Sequence, residues 1–312
     1  MIFTFTLNPA IDKILKFNFP IKKRENNKIE EINYDVGGKA THVSIILSQL
    51  GVKNIAIGFL GSKNGAILKE LLKSYGVSFF FIEQDDLTRV STILIDNLNE
   101  GSIMITEKGF TIEEKSYQKM INYIEMNIEE NDFAIFAGSP PPGISLKKYS
   151  YLIEIVKNKG GEVFVDTAGI YLEEALKQKP YLIKPNLSEF LELLKLTKFE
   201  EDKVDKYLEK IHLMGAKNIV LSLGKEGSIL STEEGNIFRI YAPKINEIND
   251  TVCGDSFVGG LISQLNEKKN LLDAVVFATA ISASKATKKE SSGFNSEETA
   301  SLLAKIKVNK WR

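Results

Sequence analysis

The sequence predicts an α/β protein: a three-layer αβα sandwich with a mostly parallel central sheet, carrying a small second β-sheet as a lid. Three observations predict it. From residue 111 onward, short apolar runs alternate with helical patterns across brief loops, the rhythm of a parallel sheet covered on both faces. Two β-rich, partly polar regions at about 13–36 and 88–107 interrupt the earlier part, and a half-solvated sheet does not sit at the centre of such a fold. The 312 residues are 43% hydrophobic and 26% charged, enough apolar material for a large core.

Taken in order, residues 2–7 form an apolar run ended by the turn signal Asn8-Pro9. Ile29, Ile32, Tyr34 and Val36 predict a strand with one face in water. Gly37-Gly38 breaks it, and Val43, Ile46, Leu47 and Leu50 then recur at helical spacing up to Gly51. A buried strand at 54–60, a helix at 64–75 and an apolar run at 77–82 follow. Runs at 90–95 and 102–106 flank Asp-Asn-Leu-Asn-Glu-Gly, a hairpin signal. Helices near 113–129, 145–158, 171–177, 187–195 and 202–214 then alternate with strands at 133–137, 162–166, 181–184 and 218–222. A β-rich stretch at 228–242 precedes helices near 254–266, 271–286 and 296–306. No repeat, low-complexity tract or linker interrupts the pattern, so one domain over 1–312 is expected.

Composition excludes several function classes. Lys and Arg number 40 against 41 Asp and Glu, a net charge of −1, whereas nucleic-acid binding favours a basic excess. No stretch approaches the roughly 18–20 apolar residues of a membrane span. The first residues read as a strand rather than a signal peptide. A lone cysteine, Cys253, allows no intrachain disulfide and no cysteine zinc site. A soluble, reducing, cytoplasmic setting is the expectation.

Five turns carry chemistry. In Asn249-Asp-Thr-Val-Cys-Gly-Asp255 a turn feeds a helix, whose free amides and dipole favour an anion; Asp255 in its first turn suits a base. Helix capping is the ordinary explanation of that Asp. Lys184-Pro-Asn-Leu-Ser-Glu189 follows a strand; Asn186 and Glu189 fit either a capping box or an outer-sphere magnesium site. Ser222-Leu-Gly-Lys-Glu-Gly227 fits a plain turn or a close backbone approach to a ligand. Gly37-Gly38-Lys39 with Asp12 fits a turn or a sugar contact. Ala137-Gly-Ser-Pro-Pro-Pro-Gly143 is a stiff loop at a strand's C-terminal end, where open α/β sheets bind ligands. The P-loop, the G-x-G-x-x-G turn after the first strand and the G-x-S-x-G elbow are all missing from the sequence.

Thr6-Leu-Asn-Pro-Ala-Ile-Asp12, Gly37-Gly38-Lys39, Thr88-Arg89, Gly138-Ser-Pro-Pro-Pro-Gly143, Lys184-Pro-Asn-x-x-Glu189, Ser222-Leu-Gly-x-x-Gly227 and Gly254-Asp255 occur in an order that resembles the ribokinase-like PfkB carbohydrate kinases, most of all their 1-phosphofructokinase and tagatose-6-phosphate kinase branch. The resemblance runs from residue 1 to about 300. It implies an αβα core with a β lid, ATP, Mg²⁺ and phosphoryl transfer to a sugar phosphate. By the same resemblance Asp255 is the base, and the amides of Val252, Cys253, Gly254 and Asp255 form the anion hole. Asp12, Gly37, Gly38, Lys39 and His42 would face the sugar. Arg89 and Ser139 would hold the phosphate already on the substrate, joined by Lys28 from the lid, in some relatives across a dimer interface. Lys184, Asn186, Ser222, Gly224 and Gly227 would line the ATP site, and Glu189 with Asn186 would organise Mg²⁺, through water. A homodimer through the lid fits its exposed edges.

Three departures stand out. Val252-Cys253-Gly254-Asp255 replaces the usual Gly-Ala-Gly-Asp, and a β-branched Val suits positive φ poorly. His42 stands where the family has Asn: either a buried helix residue or a pH-sensitive contact to sugar or phosphate. Ser91 stands where Asn is common. Cys253, at a helix N-terminus, is expected to have an activated thiol. The expected activity is ATP-dependent phosphorylation of a phosphorylated ketohexose. The alternatives are a ribokinase-type or nucleoside kinase on an unphosphorylated sugar, or a non-catalytic sugar-phosphate-binding protein.

Overall fold

The computed structural model describes residues 1–96, 102–288 and 293–311. The chain opens with β1 (Ile2–Phe5), β2 (Ala10–Phe17), β3 (Glu31–Gly37), α1 (Lys39–Gln49), β4 (Ile55–Gly61), α2 (Gly65–Ser74), β5 (Ser78–Gln84), β6 (Val90–Asp96) and β7 (Ser102–Thr106). Strict alternation follows: α3 (Glu114–Asn127), β8 (Phe133–Ala137), α4 (Leu146–Asn158), β9 (Glu162–Asp166), α5 (Gly169–Leu176) and β10 (Leu182–Ile183). Next come α6 (Leu187–Leu194), α7 (Val204–Met214), β11 (Asn218–Ser222), β12 (Ser228–Ser231) and β13 (Ile237–Tyr241). The chain closes with α8 (Cys253–Asn266), α9 (Leu271–Ala286), α10 (Ser296–Leu303) and β14 (Lys307–Lys310).

The central sheet has the order β14-β13-β12-β11-β10-β9-β8-β1-β4-β5. From β11 to β5 neighbours run parallel; β12, β13 and β14 add an antiparallel edge. Its strands are apolar on both faces because both are covered. Phe3, Phe5, Ile57 and Phe136 meet α3 to α7, with Phe5 stacked on Phe136 at 4.4 Å between ring centres. Ile2, Ile135, Phe164 and Val220 meet α1, α8 and α9 on the other face. These are the three expected layers.

The second sheet has the order β3-β2-β6-β7 and combines the two regions that interrupt the early rhythm. Beyond Asp96, the hairpin signal lies outside the described residues, but β6 and β7 pair antiparallel across it. Two expectations are corrected. The last helix stops at Leu303, and residues 307–310 pair with β13 instead, supplying an edge strand that a short polar run gave no sign of. In β3 the solvent-facing residues include the apolar Ile32 and Tyr34, while Ile29 lies before the strand. The register sets these two in rows with Ile103 and Ile105 of β7, all about half exposed. The opposite face carries Asp12, Ser91 and Thr106 in one row.

Candidate functional site

Parallel strands end together, so the residues at their C-terminal ends gather along one edge, where open α/β sheets bind ligands. Asp166 ends β9, Lys184 directly follows β10, Ser222 ends β11, and the proline loop leaves β8. Asp166 is buried, and Lys184 Nζ lies 3.2 Å from its Oδ2 while Lys39 Nζ lies 3.1 Å from its Oδ1. Burial alone raises this carboxyl's pKa, but the two ammoniums outweigh it and hold the pKa below the usual range. Asp166 in turn pushes the Lys39 ammonium well above its ordinary value. A buried carboxylate thus keeps two cations fixed at the sheet edge. Asp166 escaped the sequence reading because an Asp closing a strand looks like any other strand end.

Asn186 caps α6: its Oδ1 accepts from the Glu189 amide at 2.9 Å, and Glu189 Oε2 accepts from the Asn186 amide at 2.9 Å. The ordinary explanation, a capping box, is therefore built. It leaves Glu189 Oε1, which lies 3.7 Å from Lys39 Nζ. A bridge between Asn186 and Ser222 brings the β11 turn alongside. There Gly224 opens a single 3₁₀ turn and Gly227 closes it at φ +94, a conformation open to glycine; a Cβ on it would stand 2.1 Å from the Ile240 carbonyl. The oxygens of Glu189 and Asp166 suit a hard cation held through water, since direct coordination would compete with the cap and the lysines. Among the described residues no cluster of three or more His, Cys, Asp or Glu side chains offers a direct metal site.

The turn before α8 carries the first of the three departures. Val252 is at φ 67, ψ 0, the left-handed region, so a β-branched residue does occupy a positive-φ site. No side chain caps the helix. The Cys253 amide is taken by the Asp250 carbonyl at 3.2 Å, so it does not join the expected anion hole in this conformation. The amides of Gly254 and Asp255 have no partner among the described residues. A Cβ on Gly254 would lie 3.6 Å from Lys184 Nζ, so a buried ammonium stands beside the free amides. The expected activated thiol is contradicted: burial pushes Cys253 up to about 11, only partly opposed by Lys285.

Asp255 is buried, with its Oδ2 2.8 Å from His42 Nδ1. His42 Nε2 lies 2.8 Å from the Val36 carbonyl. The histidine of α1 thus joins the helix of the candidate base to the end of β3. Next to it, Gly37 has no side chain because Asp12 fills the space: a Cβ would stand 2.1 Å from Asp12 Oδ1. Gly38, at φ 111, opens α1. Asp12 is driven up to about 6 by burial and by Asp35, against the pull of His42 and Arg89.

Arg89 and Ser139 line one cavity of about 650 Å³, together with Asn8, Lys108, Ser145 and Tyr171. Arg89 is anchored by its Nε donating to the Asn8 carbonyl at 3.0 Å. Asn8 and Lys108 were missed in the sequence; Asn8 sits inside a quoted motif but read only as a turn residue. Ser91 is paired beside Asp12 in the register and pulls its pKa down slightly. Lys28 is exposed between β2 and β3 and does not line this cavity. No helix of the described residues is long and apolar enough to cross a membrane.

Free helix amides and fixed ammoniums at the C-terminal edge of a mostly parallel sheet suit a protein that handles phosphate groups. The chain matches the family model described as pfkB family carbohydrate kinase over residues 6–299, and it belongs to that family, whose members use ATP and typically Mg²⁺. A 1-phosphofructokinase from Borreliella burgdorferi is 30% identical over 310 residues, covering 99% of this chain and 98% of its own. A D-tagatose-1-phosphate kinase from Klebsiella oxytoca is 29% identical over 309 residues, covering 99% of each chain. Among solved structures, phosphofructokinase-2 from Escherichia coli in complex with potassium superposes with a TM-score of 0.92 at 26% identity, covering 97% of this chain and 98% of that one.

Proposed function

We propose that this enzyme transfers the terminal phosphoryl group of ATP to a hydroxyl of a phosphorylated ketohexose, giving a ketohexose bisphosphate, with Asp255 as general base. The observation that carries this reading is the presence of two separate cationic places. One is Lys184 beside the free amides of Gly254 and Asp255. The other is the cavity holding Arg89 and Lys108. A neutral sugar needs only the first; a substrate that already bears a phosphate uses both. The names of the relatives, which act on phosphorylated ketohexoses, support the same class.

Asp12 and Lys39 hold the sugar's hydroxyls, and Arg89 with Ser139 holds its phosphate through charge-assisted bonds. As the sugar oxygen attacks the terminal phosphorus, its proton passes to Asp255, the bond to the bridging oxygen breaks, and ADP leaves. Lys184 and the α8 amides stabilise the charge on the transferring group, and positioning supplies most of the rate. Ser222, Gly224 and Gly227 line the nucleotide's approach. Bound magnesium, held through water by Glu189 and Asp166, would neutralise phosphate charge. Asn186 keeps Glu189 in place through the capping box.

Coupled measurement of ADP release with fructose 1-phosphate, fructose 6-phosphate, tagatose 1-phosphate, tagatose 6-phosphate and the free sugars tests the proposal. The expected result is a kcat/KM for one phosphorylated ketohexose about 10–100-fold above every free sugar, from the ~1.5–3 kcal/mol of a charged hydrogen bond. Fastest turnover on a free sugar or nucleoside would favour a ribokinase-type activity instead. The half-exposed patch of Ile32, Tyr34, Ile103 and Ile105 supports pairing of two copies through the second sheet, with Lys28 of the β2–β3 connection then able to approach a partner's site. Sedimentation of the native chain tests this pairing, which a purely monomeric species would exclude.

A further inference from the structure

Both ring nitrogens of His42 face hydrogen-bond acceptors. Nε2 is 2.8 Å from the carbonyl of Val36, which can only accept, so Nε2 carries a proton. Nδ1 is 2.8 Å from Asp255 Oδ2. A neutral ring would then present its Nδ1 lone pair to a carboxylate, and two acceptors cannot bond. The contact therefore contains a second proton. With the carboxylate ionised, His42 is an imidazolium.

The surroundings favour that state. His42 lies on α1, and α8 brings Asp255, β2 brings Asp12, and β3 brings the Val36 carbonyl. On its own helix, Lys39 is the cation that acts on Asp255. The central strands nearest α1, β1, β4 and β8, carry no ionisable side chain. Burial alone lowers the imidazole pKa, but the bond and charge of Asp255, with Asp12 and the Val36 carbonyl, raise it above the ordinary value. An Asn at position 42 could donate through its amide NH₂, but it could carry no charge.

We propose that His42 is a positioning residue for Asp255: as an imidazolium it holds Oδ2 through Nδ1, fixing the carboxylate so that Oδ1 meets the sugar hydroxyl. Oδ1 has no hydrogen-bond partner among the described residues, and the Asp255 side chain retains 10% exposure. The same ring, through Val36, ties this geometry to the strand end carrying Gly37, against which Asp12 packs. The base and the sugar-facing carboxylate are thus set by one side chain. Loss of the Nδ1 proton at alkaline pH would turn the contact repulsive and release the base.

This inference rests on Asp255 being the base, and the test separates the two. Nitrogen-15 NMR of the native enzyme resolves two histidines, His42 and His212, and His42 is expected to keep both protons at pH 7. In Asp255→Asn its titration should move to lower pH. Kinetically, wild-type kcat should fall on the alkaline side, and His42→Asn, which keeps a neutral donor, should lose that limb. His42→Ala should lower kcat about 10–100-fold, as a misplaced catalytic group does, while both KM values change less than about threefold. A bare ring nitrogen on His42 at pH 7, or an unaltered alkaline limb in His42→Asn, would overturn the proposal. Should Asp255→Asn turn over normally, the base assignment falls, while the NMR result still decides the protonation of the pair.

Discussion

The ammonium of Lys184 and the carboxylate of Asp166 form a buried ion pair at 3.2 Å, both side chains less than a tenth exposed. The pair fixes a cation beside Gly254, and its geometry persists because Lys39 binds the other carboxylate oxygen. Breaking one partner of a buried pair leaves an uncompensated charge, costing about 3–5 kcal/mol. Asp166→Asn is therefore expected to lower unfolding free energy by about that amount and to raise the KM for ATP. Urea unfolding and steady-state kinetics check this; an unaltered unfolding midpoint would mean the pair adds nothing to the fold.

Asp255→Asn should lower kcat by about 10²–10⁴-fold, the usual contribution of a general base. Its effect on stability should depend on pH. His42 has a raised pKa in the folded state, so the pair's contribution is fully present below the ordinary imidazole value near 6.5 and fades as pH rises through the raised one. The stability gap between wild type and Asp255→Asn should thus narrow toward alkaline pH. Thermal unfolding across pH 6 to 10 reads it, and a gap independent of pH would contradict the charged pair.

Asp12, raised to about 6, takes up a proton in the folded chain as pH falls through that value. Only its carboxylate accepts from two hydroxyls, so KM for the sugar phosphate should rise below about pH 6. The substrate's own phosphate also titrates near pH 6. Asp12→Asn isolates the difference: its KM, higher throughout, should keep only the substrate's part of the slope. An identical slope in both enzymes would remove Asp12 from the sugar site.

Arg89→Gln should raise KM for the sugar phosphate about 10–100-fold and leave KM for ATP nearly unchanged, since a guanidinium bond to phosphate contributes ~1.5–3 kcal/mol. Lys108→Gln should act in the same direction, less strongly, as a point charge without the guanidinium's fork. Equal effects on both substrates would place the cavity on the nucleotide side.

Much of this protein could be read from local sequence. The alternation after residue 111 is legible because each strand covered on both faces must be apolar throughout, and each helix apolar on one side. Asn186 and Glu189 were legible as a capping box because that bond pattern is local. Val252 could be flagged because backbone sterics belong to a single residue; holding it at φ 67 stores strain on the order of 1–3 kcal/mol. The edge strand β14 was not legible, because four exposed residues pair there only when β13 offers its free backbone groups.

By itself, the sequence determined the layers, the turns and the residue types available at each turn, since these follow from hydrophobic period and backbone sterics over a few neighbours. Which groups share a proton or a charge follows from how distant segments pack. His42 and Asp255 are 213 positions apart and Lys39 and Asp166 are 127 apart, yet each pair is in contact. The activated thiol expected of Cys253 failed for the same reason: a helix start argues for a low pKa, but burial depends on what the rest of the chain folds against it. Ionisation responds to dielectric and to charge in space, and neither is a property of sequence distance.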